Sequence, residues 1–583
     1  MNNIKKVFSK ILPTRAELIR VVHTFTKREW VFFSILLGAF VLSTLMVFYK
    51  VNKHFMVDTP AYGGTWTEGV VGTPRFVNPV LALSDADRSL SALVYSGLMR
   101  RMPDGTLVPD LASEYAVSAD GLTYTFTLRD HLTFHDGKPL TSADVLYTIT
   151  MAKDDLVKSP KKVNWDGVTV AAPDAHTVTF ALRKRYAGFL DTTTIGILPE
   201  HLWSKLTPEQ FGLSDLNINA VGSGPYAVSS IKNTGSGLPS SYTLRAFNHF
   251  ALGKPYLQTL VLKFYDDEAS AVAGWQSNTV DAVNAVSPES ADTLKKSGAR
   301  LITTTLPRVF GFFVNQSQAP IFTDKHILQA IDMTIDKNKI IAEVLRGYGV
   351  PVAGPIPPHV LPVEEISGAV PAPDPEGALA VLAKAGWTKN ASGVLIKKTK
   401  KSASAPLSFS LSTSDDPELK GAAYLIRDEL ATIGITVDVK IYDMGSLNQT
   451  IIRPRKYDAL FFGEVISHEA DLYAFWHSSE RTDPGLNIAM YTSARADTFL
   501  EKAGETLDAD ARTKLYLSFV NQVVSDAPAV FVYSPDFIYA VRDDINGITL
   551  DHITNPSDRF ANVYTWYRET DSVWKIFLKK SEK

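Results

Sequence analysis

A chain of 583 residues is too long for one ordinary core, and at about 150 residues per domain it divides into roughly four units. Hydrophobic residues at 45% and charged residues at 21% suit a well-packed globular protein and exclude a disordered chain, a collagen-like fibre and a multi-span membrane protein. With no cysteine, disulfide frameworks, thiol catalysis, iron–sulfur clusters and Cys-ligated zinc are excluded as well.

The net charge of -3 conceals an asymmetry. Residues 1–29 carry Lys5, Lys6, Lys10, Arg15, Arg20, Lys27 and Arg28 against Glu17 and Glu29, a net of +5 that leaves -8 for the other 554 residues. A mildly acidic body without a basic cluster has little to neutralise phosphates, which argues against nucleic-acid binding.

Trp30 to Tyr49 is a run of twenty residues without one charge. As a helix rising about 1.5 Å per residue it reaches about 30 Å, the thickness of the hydrocarbon layer. The rings of Trp30 and Tyr49 stand at the two ends, where interfaces favour them. A cleaved signal peptide is the alternative, but its apolar region is about 7–15 residues long and ends in small residues. Here Val51-Asn52-Lys53-His54-Phe55-Met56 follows instead. The expectation is an uncleaved single-pass anchor at 30–50, a cytoplasmic basic arm at 1–29, and the bulk of the chain outside the cell membrane.

Along the body, 106–135 reads as antiparallel strands, with Thr123–Leu128 alternating in period two after the turn Asp120-Gly121. Thr141 with Asp144 three residues on predicts a capped helix start. Strands are expected at His176–Leu182, Thr243–Ala246 and Leu260–Phe264, and a helix around Glu268–Trp275. Apolar residues at Ile327, Ala330, Ile331 and Ile335, then Ile340, Ile341, Val344 and Leu345, predict two helices before Gly347. The stretch 349–375, with eight prolines, predicts an irregular connection. A short helix at 376–385, a basic hairpin edge or loop at Lys397–Lys401, a helix at Pro417–Ile433 and a strand at Ile435–Tyr442 follow. Helix then strand, repeated, is an α/β pattern. A helix at 508–525 and strands at Ala529–Tyr533 and Phe537–Val541 close the chain.

Catalytic signatures are missing. Neither G-x-S-x-G nor H-E-x-x-H occurs, and the Ser-x-x-Lys matches at Ser159, Ser229 and Ser572 lack their partner motifs. Gly222-Ser223-Gly224, followed by Pro225, reads as a turn and not a phosphate cradle. His131 and His135 would lie about 13 Å apart on a strand, too far to share a metal. His468, Glu469 and Asp471 interrupt an apolar strand and precede Tyr473, Phe475 and Trp476. That cluster is either a solvated loop or a loop facing a ligand.

The run Val108-Pro109-Asp110-Leu111-Ala112-Ser113 continues through Ser118-Ala119-Asp120-Gly121-Leu122-Thr123-Tyr124 to Phe134-His135-Asp136-Gly137-Lys138-Pro139-Leu140-Thr141. Together with Gly222–Tyr226, Thr279-Val280-Asp281-Ala282, Phe313-Val314-Asn315, Ala383–Trp387 and Asn487–Tyr491, it resembles the family 5 extracellular solute-binding proteins. These are the oligopeptide, dipeptide and nickel receptors of ABC importers. The resemblance spans roughly residues 60–570.

The resemblance implies an α/β, two-lobed periplasmic-binding-protein-like fold with an extra small domain after the membrane helix. Its first lobe would comprise 60–85, 215–308 and 528–575, the extra domain 86–214 and the second lobe 309–527. It also implies a monomeric extracytoplasmic part without catalytic activity, cofactor or metal. A peptide or other small solute would bind between the lobes and be delivered to ABC permease subunits driven by cytoplasmic ATPases. Positions matching family contacts are Leu83, Ser84 and Asp85, after Asn78-Pro79 where the family has Asp-Pro, and Asn284. Gly463 is followed by Glu464 where the family has Trp, and the amine-binding position falls on His468 or Glu469. Asp471 matches a second family Asp, and Trp476 completes the candidate contacts. Because the Gly-Trp…Asp pattern is missing, a nickel chelate or an oligosaccharide stays open as the solute. So does a peptide sensor or chaperone with no transport role.

Overall fold

The computed structural model describes residues 20–21, 23–361, 370–399 and 402–577. The basic arm ahead of residue 20, positions 362–369 of the proline-rich connection, Lys400 and Lys401, and Leu578–Lys580 lie outside the described residues. The chain forms two compact units, one of residues up to Ala61 with those from Glu569 onward, the other Tyr62–Arg568.

In the first unit the uncharged run lies inside a longer helix, Lys27–Phe55, none of whose side chains is buried. Thr26 starts it: its backbone N–H donates to Glu29 Oε2 at 2.7 Å, a reciprocal cap that supplies a donor–acceptor pair at the helix start. Past the helix, Met56–Pro60 pairs antiparallel with Thr570–Trp574. Trp574 Nε1 donates to Asn52 Oδ1 at 2.8 Å.

The second unit is organised by one long strand, Ala529–Val541. It joins the two stretches expected as separate strands, and every residue but Asp536 is buried. A strand covered on both faces reads as a continuous apolar run, so alternation could not mark its ends. Its first half pairs with Arg308–Val314 (Phe313 with Ala529 through Phe310 with Tyr533) and its second half with Arg300–Thr305 and Ala282–Val283. The partners therefore change at Ser534–Pro535 on this strand and at Leu306–Pro307 on the neighbouring connection.

On either side of that change the pleat sends alternate side chains into different cores. Val530 and Val532 join one cluster with Phe312 and Phe409, whereas Ala529 and Phe531 join another with Phe313 and Trp476. Beyond the crossing, Phe537 and Tyr539 pack with Trp66 and Trp566, and Ile538 and Ala540 with Trp275. The sheet continues from Arg308–Val314 through Ala459–Val465 and Ser408–Ser414 to Thr436–Tyr442. In the other direction it runs through Gly63–Val71 and Leu257–Tyr265 to the hairpin of Pro239–Ala246 with Tyr226–Asn233.

Helix Pro417–Thr432 shows why these segments are helical. Asp416 caps it, accepting from Glu418 N and Leu419 N, Pro417 occupies the first turn, and Leu419, Ala422, Ala423, Ile426 and Leu430 form the buried stripe. It gives way at Gly434, whose φ of +91° suits glycine. The expected capped helix covers Ser142–Lys153, with the Thr141 N–H donating to Asp144 Oδ2 at 2.8 Å.

A separate four-stranded antiparallel sheet places Ala112–Val117, Thr123–Leu128, Thr177–Leu182 and Val168–Asp174 side by side. Phe126, Phe180, Trp165 and Phe189 pack edge-on or tilted beneath it. His135 serves this region structurally: its Nε2 is 3.0 Å from Gly224 O, and its Nδ1 accepts from Gly222 N at 3.3 Å. Burial pushes its pKa down to about 4, so the ring is neutral. At Gly224 a Cβ would come within 2.6 Å of the Val94 carbonyl carbon, which is why the turn needs glycine.

Candidate functional site

Two chambers lie on opposite faces of the connection Thr305–Arg308, whose side chains alternate between them. Thr305 and Pro307 line one of about 710 Å³. Leu306 and Arg308 line the other, of about 450 Å³. The loop region 463–469 also borders both, with Gly463 and Val465 on the second chamber and Ser467, His468 and Glu469 on the first.

The first chamber collects charges from distant parts of the chain. Arg101 pairs with Asp191 and donates through Nη1 to Gly105 O at 2.7 Å. His468 approaches the same carboxylate, Nε2 to Asp191 Oδ1 at 3.6 Å. Glu469 accepts from Arg512 Nε at 3.0 Å. The rings of His359 and His552 meet edge-on with centroids 5.0 Å apart. Burial, then the neighbouring His359, holds the pKa of His552 below the usual histidine value. An adjoining cavity of about 490 Å³ shares Arg101, Asp191 and His468 and adds Lys161, Asp471 and Asp558.

Of the positions expected to touch a ligand, His468 and Glu469 line the first chamber, Asp471 the adjoining cavity, and Asp85 and Gly463 the second chamber. Asp471 is already engaged, accepting from Ser467 N at 2.8 Å and His468 N at 3.0 Å, so its role is to shape the loop. Ser84 Oγ accepts from Asp87 N at 3.1 Å and caps helix Asp85–Val94, while Leu83 just before it is exposed. Gly463 faces the ring of Phe310, which a Cβ would meet at 2.7 Å.

Asn284, Glu464 and Trp476 lie behind these walls. Asn284 Nδ2 donates to Glu68 Oε1 at 2.9 Å and Gly69 O at 3.2 Å, inside a buried network. Glu464 is 1% exposed because the strand's period of two that turns Gly463 and Val465 to the chamber turns the residue between them to the core. Trp476 is fully buried in that same core. Arg101, Asp191, His359, His552 and Arg512 were missed from sequence. Each is an ordinary surface-type residue in an unremarkable local pattern, and only long-range packing groups them.

Residues 106–485, well over half of the chain, match the model of bacterial extracellular solute-binding proteins, family 5 Middle. The chain belongs to this family. Among the similar relatives of this family 5 protein is the oligopeptide-binding protein AppA of Bacillus subtilis, 26% identical over 525 residues, covering 87% of this chain and 92% of the relative. The solved structure of AppA in complex with a nonapeptide superposes with a TM-score of 0.67 at 25% identity, over 88% of this chain and all of that one. NikZ from Campylobacter jejuni in complex with Ni(L-His) gives a TM-score of 0.68 at 26% identity, over 86% and 99% of the two chains. The family 5 protein thus has the two-lobed α/β fold of periplasmic binding proteins, with one N-terminal apolar helix ahead of it. Its family is one of solute-binding receptors.

Proposed function

We propose that this protein is the membrane-tethered substrate-binding subunit of a bacterial ABC importer, capturing short oligopeptides between its lobes and delivering them to permease subunits. The observation that carries this reading is the first chamber, of about 710 Å³ and bordered by charged groups of both signs. Its size falls within the range of about 300–1,000 Å³ typical of small-ligand sites. A zwitterionic peptide offers an ammonium, a carboxylate and a regular row of backbone donors and acceptors to such walls. Pairing through the backbone does not depend on side chains and suits broad specificity.

In this reading the lobes turn about Leu306–Pro307 and Ser534–Pro535, where the strand partners change. The first lobe comprises about 62–85, 215–305 and 536–568, the small domain 86–214 and the second lobe 308–533. A solute touching both lobes favours the closed form by the difference in its affinity for the two states. The closed receptor docks on the permease, and the cytoplasmic ATPases power transfer. Helix Lys27–Phe55 reaches a mean hydropathy of 2.5 over its apolar window and serves as the anchor, with the basic arm inside. Membrane fractionation with intact-mass measurement tests the tether: recovery of a soluble chain that has lost its first fifty or so residues would mean cleavage (about 15–30 residues is usual for a signal peptide).

Native mass spectrometry of the detergent-solubilised chain, followed by calorimetry with a short-peptide library, tests the ligand. A second reading, a chelate or other non-peptide solute, is favoured by His359 and His552 meeting across the first chamber. No group of three or more His, Asp or Glu suited to a metal ion occurs among the described residues, so a bound metal would need to bring donors of its own. Binding of such a chelate with no heat from any peptide overturns the peptide assignment. A sensor or chaperone without transport is distinguished by genes for a permease and ATPases being absent beside this one.

A further inference from the structure

The second chamber differs in charge from the first. Asp85, Glu268, Asp416, Glu418 and Asp536 line it against a single cation, Arg308. Four of the carboxylates already have partners. Asp85 lies 3.8 Å from Arg88, Glu268 accepts from Ser287 N, Asp416 accepts from Glu418 N and Leu419 N, and Asp536 accepts from Thr305 Oγ1 at 2.9 Å. The carboxylate of Glu418 alone among the five has neither a hydrogen bond nor an ion pair to any described residue. Burial, reinforced by Asp416 and Glu268 and opposed by Arg308, raises its pKa to about 7.

A second observation points to a missing guest. Tyr533 is 0% exposed and lines the same chamber, yet its hydroxyl has no hydrogen-bond partner. Burying a hydroxyl unpaired costs free energy. Tyr533 and Glu418 line the same chamber, which places the unpaired hydroxyl and the unpartnered carboxylate around one space. Aromatic rings complete the wall, with Phe310 stacked on Tyr533 at 5.0 Å between centroids, and Phe462 and Tyr348 beside them. Separated carboxylates with aromatic faces suit an organic cation, which takes charge-assisted hydrogen bonds and cation–π contact together. They do not suit a bare metal ion, since no three acidic or histidine side chains converge among the described residues.

We infer that the second chamber is a selectivity pocket for an ammonium or guanidinium group, held by Glu418 and the Tyr533 hydroxyl. This rests on the peptide-receptor reading: an extended ligand lying along 463–469 borders both chambers, so a lysine or arginine side chain of a bound peptide would reach the second. The shared chemistry is an organic cation, which a free diamine or arginine could also supply.

The test uses the full chain in detergent at pH 8, with calorimetry of three pentapeptides identical except for one central lysine, norleucine or glutamate. Free arginine and putrescine form the other arm, and Glu418→Gln and Tyr533→Phe are the variants. Thermal unfolding checks that both variants are folded. The lysine peptide should bind at least tenfold more tightly than the norleucine peptide. That ratio should fall toward one in Glu418→Gln and decrease in Tyr533→Phe. Peptides bound without preference for lysine would overturn the pocket assignment and leave the receptor reading standing. Arginine or putrescine binding that is sensitive to Glu418→Gln, with no peptide bound, would keep the pocket and overturn the peptide reading. Absence of binding in both arms overturns both.

Discussion

His468 faces Asp191 across the first chamber, Nε2 to Oδ1 at 3.6 Å, although 277 positions separate them in the chain. Asp191 also holds Arg101, so one carboxylate connects the segment around residues 101–191 with the loop that follows strand Ala459–Val465. Asp191→Asn removes the charge and keeps the shape. The pairs this carboxylate makes with Arg101 and, when the ring is protonated, with His468 are only partly buried, and such pairs are worth about 0.5–1 kcal/mol. The variant should therefore bind its ligand about 2–5-fold more weakly by calorimetry. Unaltered affinity would mean that this contact does not contribute to closure.

In the proposed reading, where the lobes close over a solute, His552 makes closure pH-dependent. Its pKa lies below the ordinary value through burial and His359, with Asp551 and Asp104 opposing and Arg101 adding to the depression. A depressed histidine binds fewer protons in the closed state than in an open state where it is solvated. Closure is then at full strength above the solvated value of about 6.5 and is lost as pH falls below it. Ligand affinity should drop between pH 7.5 and pH 5.5, by at most about tenfold per pH unit. His552→Asn should flatten the profile, and an equally steep profile in that variant would assign the effect elsewhere.

Glu464 is a liability to stability. Neither of its carboxylate oxygens has a well-formed hydrogen bond, and the indole N–H of Trp476 in the same core only partly offsets the cost of burial. Complete burial raises its pKa well above the usual range, so the native state holds a proton that the unfolded chain releases above about 4.3. Native stability consequently falls as pH rises past that value. Glu464→Met, similar in volume, should stabilise by about 1–3 kcal/mol and raise Tm more at pH 8 than at pH 5. An equal shift at both pH values would mean that the carboxyl does not titrate as described.

Glu68 and Arg559 form the opposite case, a buried charge pair with hydrogen bonds to both carboxylate oxygens. Arg559 Nε and Nη2 lie 2.7 and 2.6 Å from Glu68 Oε1, and Tyr539 OH donates to Oε2 at 2.7 Å. Both side chains are 0% exposed. Removing one partner strands the other in the core, so Arg559→Met should destabilise by about 3–5 kcal/mol in a denaturant titration. The double variant Glu68→Met/Arg559→Met should recover most of that loss, because no unpaired charge remains.

Much of the fold is legible one segment at a time. The alternation at Thr123–Leu128, the Thr141–Asp144 cap and the stripe of helix Pro417–Thr432 all appear where the residues place them. Each depends on neighbours within a turn or two, as does the uncharged run inside Lys27–Phe55. The candidate site was legible in part. Its loop stood out because His468, Glu469 and Asp471 break an apolar strand, and Gly463 stood out through the family pattern. Glu464 and Trp476 could not be sorted from the loop by eye, since Ala459-Leu460-Phe461-Phe462 is apolar toward both faces and hides the period. Asn284 looked available because Glu68, the partner that occupies it, lies 216 positions away.

An ordered series of motifs carried the family resemblance, and chain-local chemistry alone determined the membrane-length helix, the caps and the helix and strand periods. Those properties follow from covalent neighbours and backbone hydrogen-bond spacing. Which charges meet was decided only in three dimensions. Arg101, Asp191 and His468 converge, Glu418 and Tyr533 share a chamber, and Ala529–Val541 exchanges partners at Ser534–Pro535. Side chains so far apart in sequence meet only when packed layers set their distances, and no local pattern encodes the register of one layer on another.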